Sequence, residues 1–492
     1  MREKMEPQIQ EEIRKSMSYW RIPSVVLGIV REGREPEIYC YGCRDIKRAR
    51  AADERTRFCM ASVSKSFTAA AAMMLCDQNM LPLDVPVSEY APELLFGEGR
   101  PVTMRDMLCH RTGLANHDAV WPGASTRAEL AQRIRYLGYN LPFRSSYQYN
   151  NTVYVMAGYL LERAAGKSYS ALLREMIFDP LEMEDCSSTE DGIRGSGDMA
   201  LPYQVMDGER RELHFWNMDL AAPAAGVNAT VRDMTKWVRF HMDGGRTPDG
   251  KQLISEQNFR QMHSIQIPMS GAASPELKDI PFAYTGYGFG WRTAEYRGME
   301  VQLHTGKIEG YSSIQAYLPG KGFGAVIMMN LHSPAVAFFG GVLADLTDSE
   351  IFGEFRNREE RLRGTGEFAS LEEYRDVCAD YVPEGFFKEV ADIRQIEPSV
   401  LVGSYENPGY GGVCVTQKNG RLFLFYRDQN LPLQPAGGSR FVMNGVKEDI
   451  WTIRMPVEFE EHGGKAVSVK IRYEEKLPAI AFTRRLTDER YD

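Results

Sequence analysis

Residues 58–93 read FCMASVSKSFTAAAAMMLCDQNMLPLDVPVSEYAPE, and the rest of the chain is best read outward from them. The stretch rich in Ala and Met predicts a helix over roughly 62–79. Ser62 and Lys65 stand at its start, three residues apart, so they share one face a single turn from each other. A serine hydroxyl is a poor nucleophile until a base takes its proton. A lysine held beside it, partly desolvated or among other cations, can lose its own proton near neutral pH. The helix N-terminus adds positive potential, which favours negative charge developing at Ser62. The bland reading is a capping serine with a surface lysine, and this short pattern alone does not exclude it.

Around that helix the strand signals fall at both ends of a long segment. Residues 24–31 and 36–41 predict two strands joined at Glu32-Gly33-Arg34. Residues 85–140 read as helical and loop-rich, 154–165 as an apolar helix, 186–225 as irregular and 231–242 as a helix. Strand signals return at 288–293, 300–304, 312–318 and 324–330, followed by a helix near 334–347. This order predicts an α+β fold: an antiparallel sheet flanked by helices, with a helical subdomain inserted. From about 398 the texture becomes short alternating strands, with hairpin signals at Asn419-Gly420 and Gly463-Gly464, which predicts a small β-barrel or sandwich. The expected domains are 1–350, a helical linker 351–396, and a barrel 397–492.

Two further clusters carry chemistry. Tyr149-Asn150-Asn151 precedes the helix near Tyr154. A phenol beside an ammonium can act as a base, and the Asn151 amide can hold both the lysine and a substrate carbonyl. The bland alternative is a core tyrosine with an asparagine cap. His304-Thr305-Gly306-Lys307 ends a strand. Gly306 lets a substrate lie along the strand edge, and the backbone N–H of Lys307 can pair with that of Ser62 as an oxyanion hole. A half-buried histidine at a strand end is the plain reading there.

The order of these pieces resembles the serine β-lactamase and penicillin-binding-protein superfamily. The branch is that of class C β-lactamases, D-amino-acid peptidases and related esterases, which combines SxxK, Tyr-x-Asn and Lys- or His-x-Gly. MLCHRTGL (107–114), SYQYNNTVYVMAGYLLE (146–162), PAAGVNATVRDMTKW (223–237), YGFGWRTAEYRG (287–298) and LHTGKIEGYSSIQAYLPGKGFGAVIMMN (303–330) continue the likeness in order over residues 20–345. The resemblance implies Ser62 as acyl-accepting nucleophile, Lys65 and Tyr149 as the proton-transfer pair, Asn151 as a polar clamp, and His304, Gly306 and Lys307 as substrate-binding positions. His304 departs from the lysine version and removes a permanent cation, so strong attraction of a substrate carboxylate is not expected. The tail LVGSYENPGYGGVCVTQKNGRLFLFY (401–426) resembles the lipocalin-like module attached to some members, which implies an eight-stranded barrel.

The remaining features mainly exclude. The 492 residues carry a net charge of −9 and no basic stripe, which argues against nucleic acid. The longest apolar runs reach about ten residues, short of the roughly 20 a membrane helix needs. The N-terminus is charged and lacks an apolar core, so the expected location is the cytosol; its Met5, Ile9, Ile13, Met17 and Trp20 suit an amphipathic helix. The eight cysteines are scattered, and Cys40 and Cys43, three apart on a strand, point to opposite faces and read as ordinary thiols. His110 reads as holding a turn rather than a metal, while Trp121, Trp216 and Tyr311 are either pocket lining or core. No metal or cofactor is implied, no G-x-S-x-G elbow appears, and a homo-oligomer stays open. The resulting expectation is a serine hydrolase that forms an acyl-enzyme on Ser62 and cleaves a small ester, a D-amino-acid peptide or a β-lactam-like amide. The alternatives are an acyltransferase passing the acyl group to an amine or alcohol, and a non-catalytic sensor or scaffold.

Overall fold

The computed structural model describes residues 5–206, 209–269, 280, 282–332, 335–353, 397–426, 429–443, 455–473 and 477–485. Most of the expected helical linker, from residue 354 on, lies outside the described residues. The described chain forms two compact units: Met1–Glu89, Val102–Gly113 and Phe143–Ala369 make one; Tyr90–Pro101, Leu114–Pro142 and Ser370–Asp492 make the other.

The first unit is built on a nine-stranded antiparallel sheet. Its strands are β1 (Ser24–Arg31), β2 (Glu37–Asp45), β3 (Arg50–Ala51), β4 (Ile267–Pro268), β5 (Thr285–Tyr287), β6 (Arg292–Tyr296), β7 (Met299–Ile308), β8 (Tyr311–Leu318) and β9 (Phe323–Met329). They lie in the order β3-β2-β1-β9-β8-β7-β6-β5-β4, so the first three strands join the last six across the inserted helices. This is the expected α+β architecture. β1 and β9 are buried along their whole length, as central strands covered on both faces must be. Amphipathic α1 (Pro7–Tyr19) buries Ile9 and Ile13, and Met5 and Trp20 at its ends are buried too.

The helix predicted at 62–79 is α2 (Ser64–Asp77), entered through a short 3-10 turn, Ala61–Val63. It is buried on every side from Ser64 to Leu75, as expected of a helix apolar all round. Three contacts fix its rotation. Ser66 Oγ receives Trp237 Nε1 at 3.2 Å from α4 (Val231–Met242) and Gln315 Nε2 at 3.1 Å from β8, while Phe67 stacks on Trp237 at 4.0 Å. Helix α3 (Asn151–Ala165) starts three residues earlier than expected, because the Asn150 side chain caps it by accepting the Val153 N–H. The expected strand at 288–293 is a turn up to Trp291, and β6 begins only at Arg292. The 186–225 stretch, expected to be irregular, holds a hairpin of Tyr203–Met206 and Glu209–Glu212.

The second unit contains the expected closed barrel of eight antiparallel strands, from Gly403–Asn407 to Ile480–Arg484. Asn419 and Gly420 both have positive φ (49° and 73°), as a tight two-residue hairpin requires. Arg484 donates to the carbonyls of Val400, Val402 and Ala466 and to Tyr405 Oη, tying down the chain that enters the barrel. In the same unit His117 is buried, with Nδ1 2.6 Å from Tyr410 Oη and Nε2 2.8 Å from Gly138 O.

Candidate active site

The three distant stretches converge. Lys65 is fully buried, yet its Nζ lies 3.2 Å from Ser62 Oγ, 2.7 Å from Asn151 Oδ1 and 2.9 Å from Ala224 O. The rings of Tyr149 and Tyr154 stand 4.6 and 5.4 Å from the same nitrogen. Ser62, Tyr149, Asn151 and Lys307 are half-buried among buried neighbours, so the cluster is reachable from solvent. The two carbonyl acceptors decide what the amine can do. They accept from the amine, and Ser62 Oγ also lies within its reach, to accept an N–H when the amine is protonated or to donate its O–H when the amine is neutral. At 3.2 Å the amine and the hydroxyl are close enough to exchange a proton.

Local backbone aims each group. Ala61, just before Ser62, has φ 47°, a left-handed conformation costly for a residue with a Cβ. The turn is held from the sheet side by Ser313 Oγ, which donates to Met60 O at 2.8 Å. At Gly306 a Cβ would lie 2.2 Å from Met60 O and 2.4 Å from Ser313 Oγ, so β7 approaches the turn before Ser62 as only glycine permits. Gly290, at φ 72°, approaches α2 in the same way, and a Cβ there would lie 2.5 Å from Lys65 O.

Tyr149 is delivered by a loop pinned from behind. The buried Asp106 carboxylate receives Arg111 Nε at 2.5 Å, Arg144 Nε and Nη2 at 2.9 and 2.7 Å, and Thr103 N–H at 3.0 Å. Burial alone would raise the Asp106 pKa, but the bonds from Arg144 and Arg111 outweigh it and hold it below the ordinary value. His110 holds a turn, as expected: its Nδ1 accepts the Asn150 N–H at 3.0 Å and its carbonyl the Gln148 N–H at 2.8 Å. Its ring packs 4.5 Å from that of Tyr149. Tyr154 donates to Leu108 O at 2.5 Å.

His304 is fully buried on β7. Its Nδ1 lies 2.7 Å from Thr305 O, which can only accept, so Nδ1 carries the hydrogen and Nε2 accepts from Tyr287 Oη at 2.9 Å. Burial, then the charges of Arg292 and Lys65, push its pKa well below the ordinary range, so it is neutral near pH 7. Arg292, which sequence reasoning passed over, donates to Thr305 Oγ1 at 2.8 Å and returns a cation to this neighbourhood. Ala224 O, Tyr287 and Asp106 were also missed. The stretch 223–237 carries a family likeness, but only the fold shows that one of its carbonyls faces Lys65. Tyr311 is core: its hydroxyl donates to Ala200 O at 2.6 Å. Cys40 and Cys43 fall on β2, and the Cys40 thiol is pushed up to about 11, by burial first. Among the described residues no helix is long and apolar enough to cross a membrane, and no three His, Cys, Asp or Glu side chains gather as a metal site.

A serine hydroxyl beside a buried lysine amine, with an antiparallel sheet behind them, is an arrangement found in a class of serine hydrolases. The chain belongs to the beta-lactamase family, whose model matches residues 9–346. A relative named unguisins hydrolase, from Aspergillus violaceofuscus, is 25% identical over 432 residues, 82% of this chain and 75% of the relative. Among solved structures, the octameric penicillin-binding protein homologue from Pyrococcus abyssi superposes with a TM-score of 0.62 at 19% identity, covering 97% of this chain and 99% of that one. The D-amino acid amidase from Ochrobactrum anthropi SV3, complexed with D-phenylalanine, gives 0.59 at 23% identity, over 69% of this chain and 98% of the amidase. These structural likenesses show the fold.

Proposed function

We propose that this enzyme cleaves an amide or ester bond of a small amino-acid derivative or short peptide through an acyl-enzyme on Ser62. The carrying observation is the hydrogen-bond set of Lys65 Nζ, with two carbonyls holding its hydrogens and Ser62 Oγ at 3.2 Å. Ser62 Oγ attacks the substrate carbonyl carbon while its proton passes to the Lys65 and Tyr149 pair. The backbone N–H groups of Ser62 and Lys307 receive the developing oxyanion. The C–N or C–O bond then breaks, and the leaving amine or alcohol takes the proton through Tyr149. Water adds to the acyl carbon, its proton returns to the pair, and the acid departs with Ser62 restored. Asn151 clamps the substrate carbonyl, and Arg292 beside Thr305 favours a substrate with an anionic or carbonyl-rich end.

The names of the relatives, an unguisins hydrolase and a D-amino acid amidase, support amide substrates over simple esters. A panel of D- and L-amino acid amides, dipeptides, nitrophenyl esters and a β-lactam tests this. Faster turnover of an amino acid amide or peptide than of the β-lactam is expected, with free acid as product. An ester preference with no amide cleavage overturns the substrate class. Transfer of the acyl group to an added amine in preference to water overturns the hydrolase reading in favour of an acyltransferase.

A further inference from the structure

Beside β6–β8, the helix α5 (Glu256–His263) borders a cavity of about 670 Å3 that shares no residue with the Ser62 cluster. This is within the size range of small-molecule sites, roughly 300–1,000 Å3. Its lining carries Arg260 and Glu300, which have no ion-pair partner among the described residues, and the pair Arg246–Glu256 at 3.4 Å. Phe259 supplies an apolar wall. Tyr317 also lines the cavity. It is only 2% exposed. Behind it His263 is fully engaged: its Nδ1 lies 3.3 Å from Gln302 Oε1 and its Nε2 3.1 Å from His241 Nδ1, and Thr293 donates to its carbonyl at 3.0 Å.

The charges select the ligand. Two arginines and two glutamates line the cavity, so an ion of a single sign would meet as many like as unlike charges. A molecule carrying both signs meets complementary ones. We infer that this cavity is a second ligand site, for a small zwitterion such as an α-amino acid or an unblocked dipeptide. Its carboxylate pairs with Arg260, its ammonium with the Glu300 oxygen not already taken by Gln302 Nε2, and its side chain packs on Phe259 while a polar atom reaches Tyr317 Oη. The site is separate from the acyl-enzyme chemistry and stands or falls without it.

Calorimetric titration of the full chain with L- and D-phenylalanine tests this, with N-acetylphenylalanine and phenethylamine as probes that each lack one charge. Saturable binding of at least one free amino acid is expected, weakened about tenfold by Arg260→Ala or Glu300→Gln, as loss of one charge-assisted bond predicts. Tyr317→Phe should weaken it less, and Tyr149→Phe should leave it unchanged. Arg260 and Glu300 are exposed, so these variants keep the fold, which a thermal melt verifies. The inference is overturned by no binding of either amino acid, by binding indifferent to Arg260→Ala and Glu300→Gln, by loss of binding in Tyr149→Phe, or by a singly charged probe that binds as tightly as the zwitterion.

Discussion

Replacing Gly306 by alanine separates two reasons for a glycine on β7. If the glycine only clears a path for substrate, Gly306→Ala lowers activity and leaves stability alone. The geometry predicts that both fall. The added methyl would stand 2.2 Å from Met60 O, 2.4 Å from Ser313 Oγ and 3.2 Å from Ala61 Cβ. Ordinary contact needs about 3.5 Å, so the Met60–Ala61 segment must withdraw by roughly 1 Å. Overpacking of this kind costs about 1–3 kcal/mol, and breaking the Ser313–Met60 hydrogen bond adds about 1 kcal/mol, for a total of about 2–4 kcal/mol. A displacement of about 1 Å at Ser62 should slow acylation by roughly a hundredfold. The assay is a urea titration followed by tryptophan fluorescence, with single-turnover acylation by a nitrophenyl ester on the same preparation. Ser313→Ala is the control, since it loses the hydrogen bond but forces no movement; about 1 kcal/mol and less than about tenfold in rate are expected. Wild-type stability in Gly306→Ala would refute the packing argument, whatever its activity.

The buried histidines predict an acid-labile fold. His117 is lowered to about 4 and His263 to about 3, both by burial first, against an unfolded value near 6.5. As pH falls below about 6.5, the unfolded imidazoles take protons that the folded ones refuse, so stability falls and levels off only near pH 3–4, by an amount on the order of 2 kcal/mol per histidine at pH 5. Urea midpoints at pH 7.5 and 5.0 should therefore drop for the wild type and drop less for His117→Gln and His263→Gln; a midpoint that holds or rises at pH 5.0 contradicts this. Asp106→Asn removes the charge that holds Arg111 and Arg144, and should cost about 2–4 kcal/mol and slow turnover through the misplaced Tyr149 loop. A variant with wild-type melting temperature and turnover would show the cluster to be idle. Arg292→Met should raise KM about tenfold for carboxylate-bearing substrates while leaving a neutral nitrophenyl ester unaffected. Equal effects on both substrates would assign the residue to structure alone.

What was legible in the sequence is what is local. The helix at 231–242 carries its own signals: Thr230 caps it by receiving the Asp233 N–H, and two glycines follow Asp243. The Asn419-Gly420 hairpin and the one-turn spacing of Ser62 and Lys65 are likewise written within a few residues. The active-site details that escaped depend on distant partners. Ala224 O meets Lys65 across 159 positions, and Arg144 reaches Asp106 across 38. Nothing in either neighbourhood signals the pairing. Gly290 and Gly306 look like ordinary turn and strand glycines until α2 and the turn before Ser62 are packed against them. The apolar GFGW run at 288–291 mimics a strand because periodicity cannot distinguish a buried turn lying on a helix from a buried ladder. Arg292 was unreadable for the same reason: its partner Thr305 becomes a neighbour only once β6 and β7 pair.

The most direct test of the account is intact-protein mass spectrometry after brief mixing with a slowly deacylated nitrophenyl ester, followed by peptide mapping. One acyl adduct is expected, on the peptide containing Ser62, formed in the wild type, abolished in Ser62→Ala and strongly slowed in Lys65→Met. An adduct on another residue, or a Ser62→Ala enzyme that turns over substrate at the wild-type rate, would contradict it.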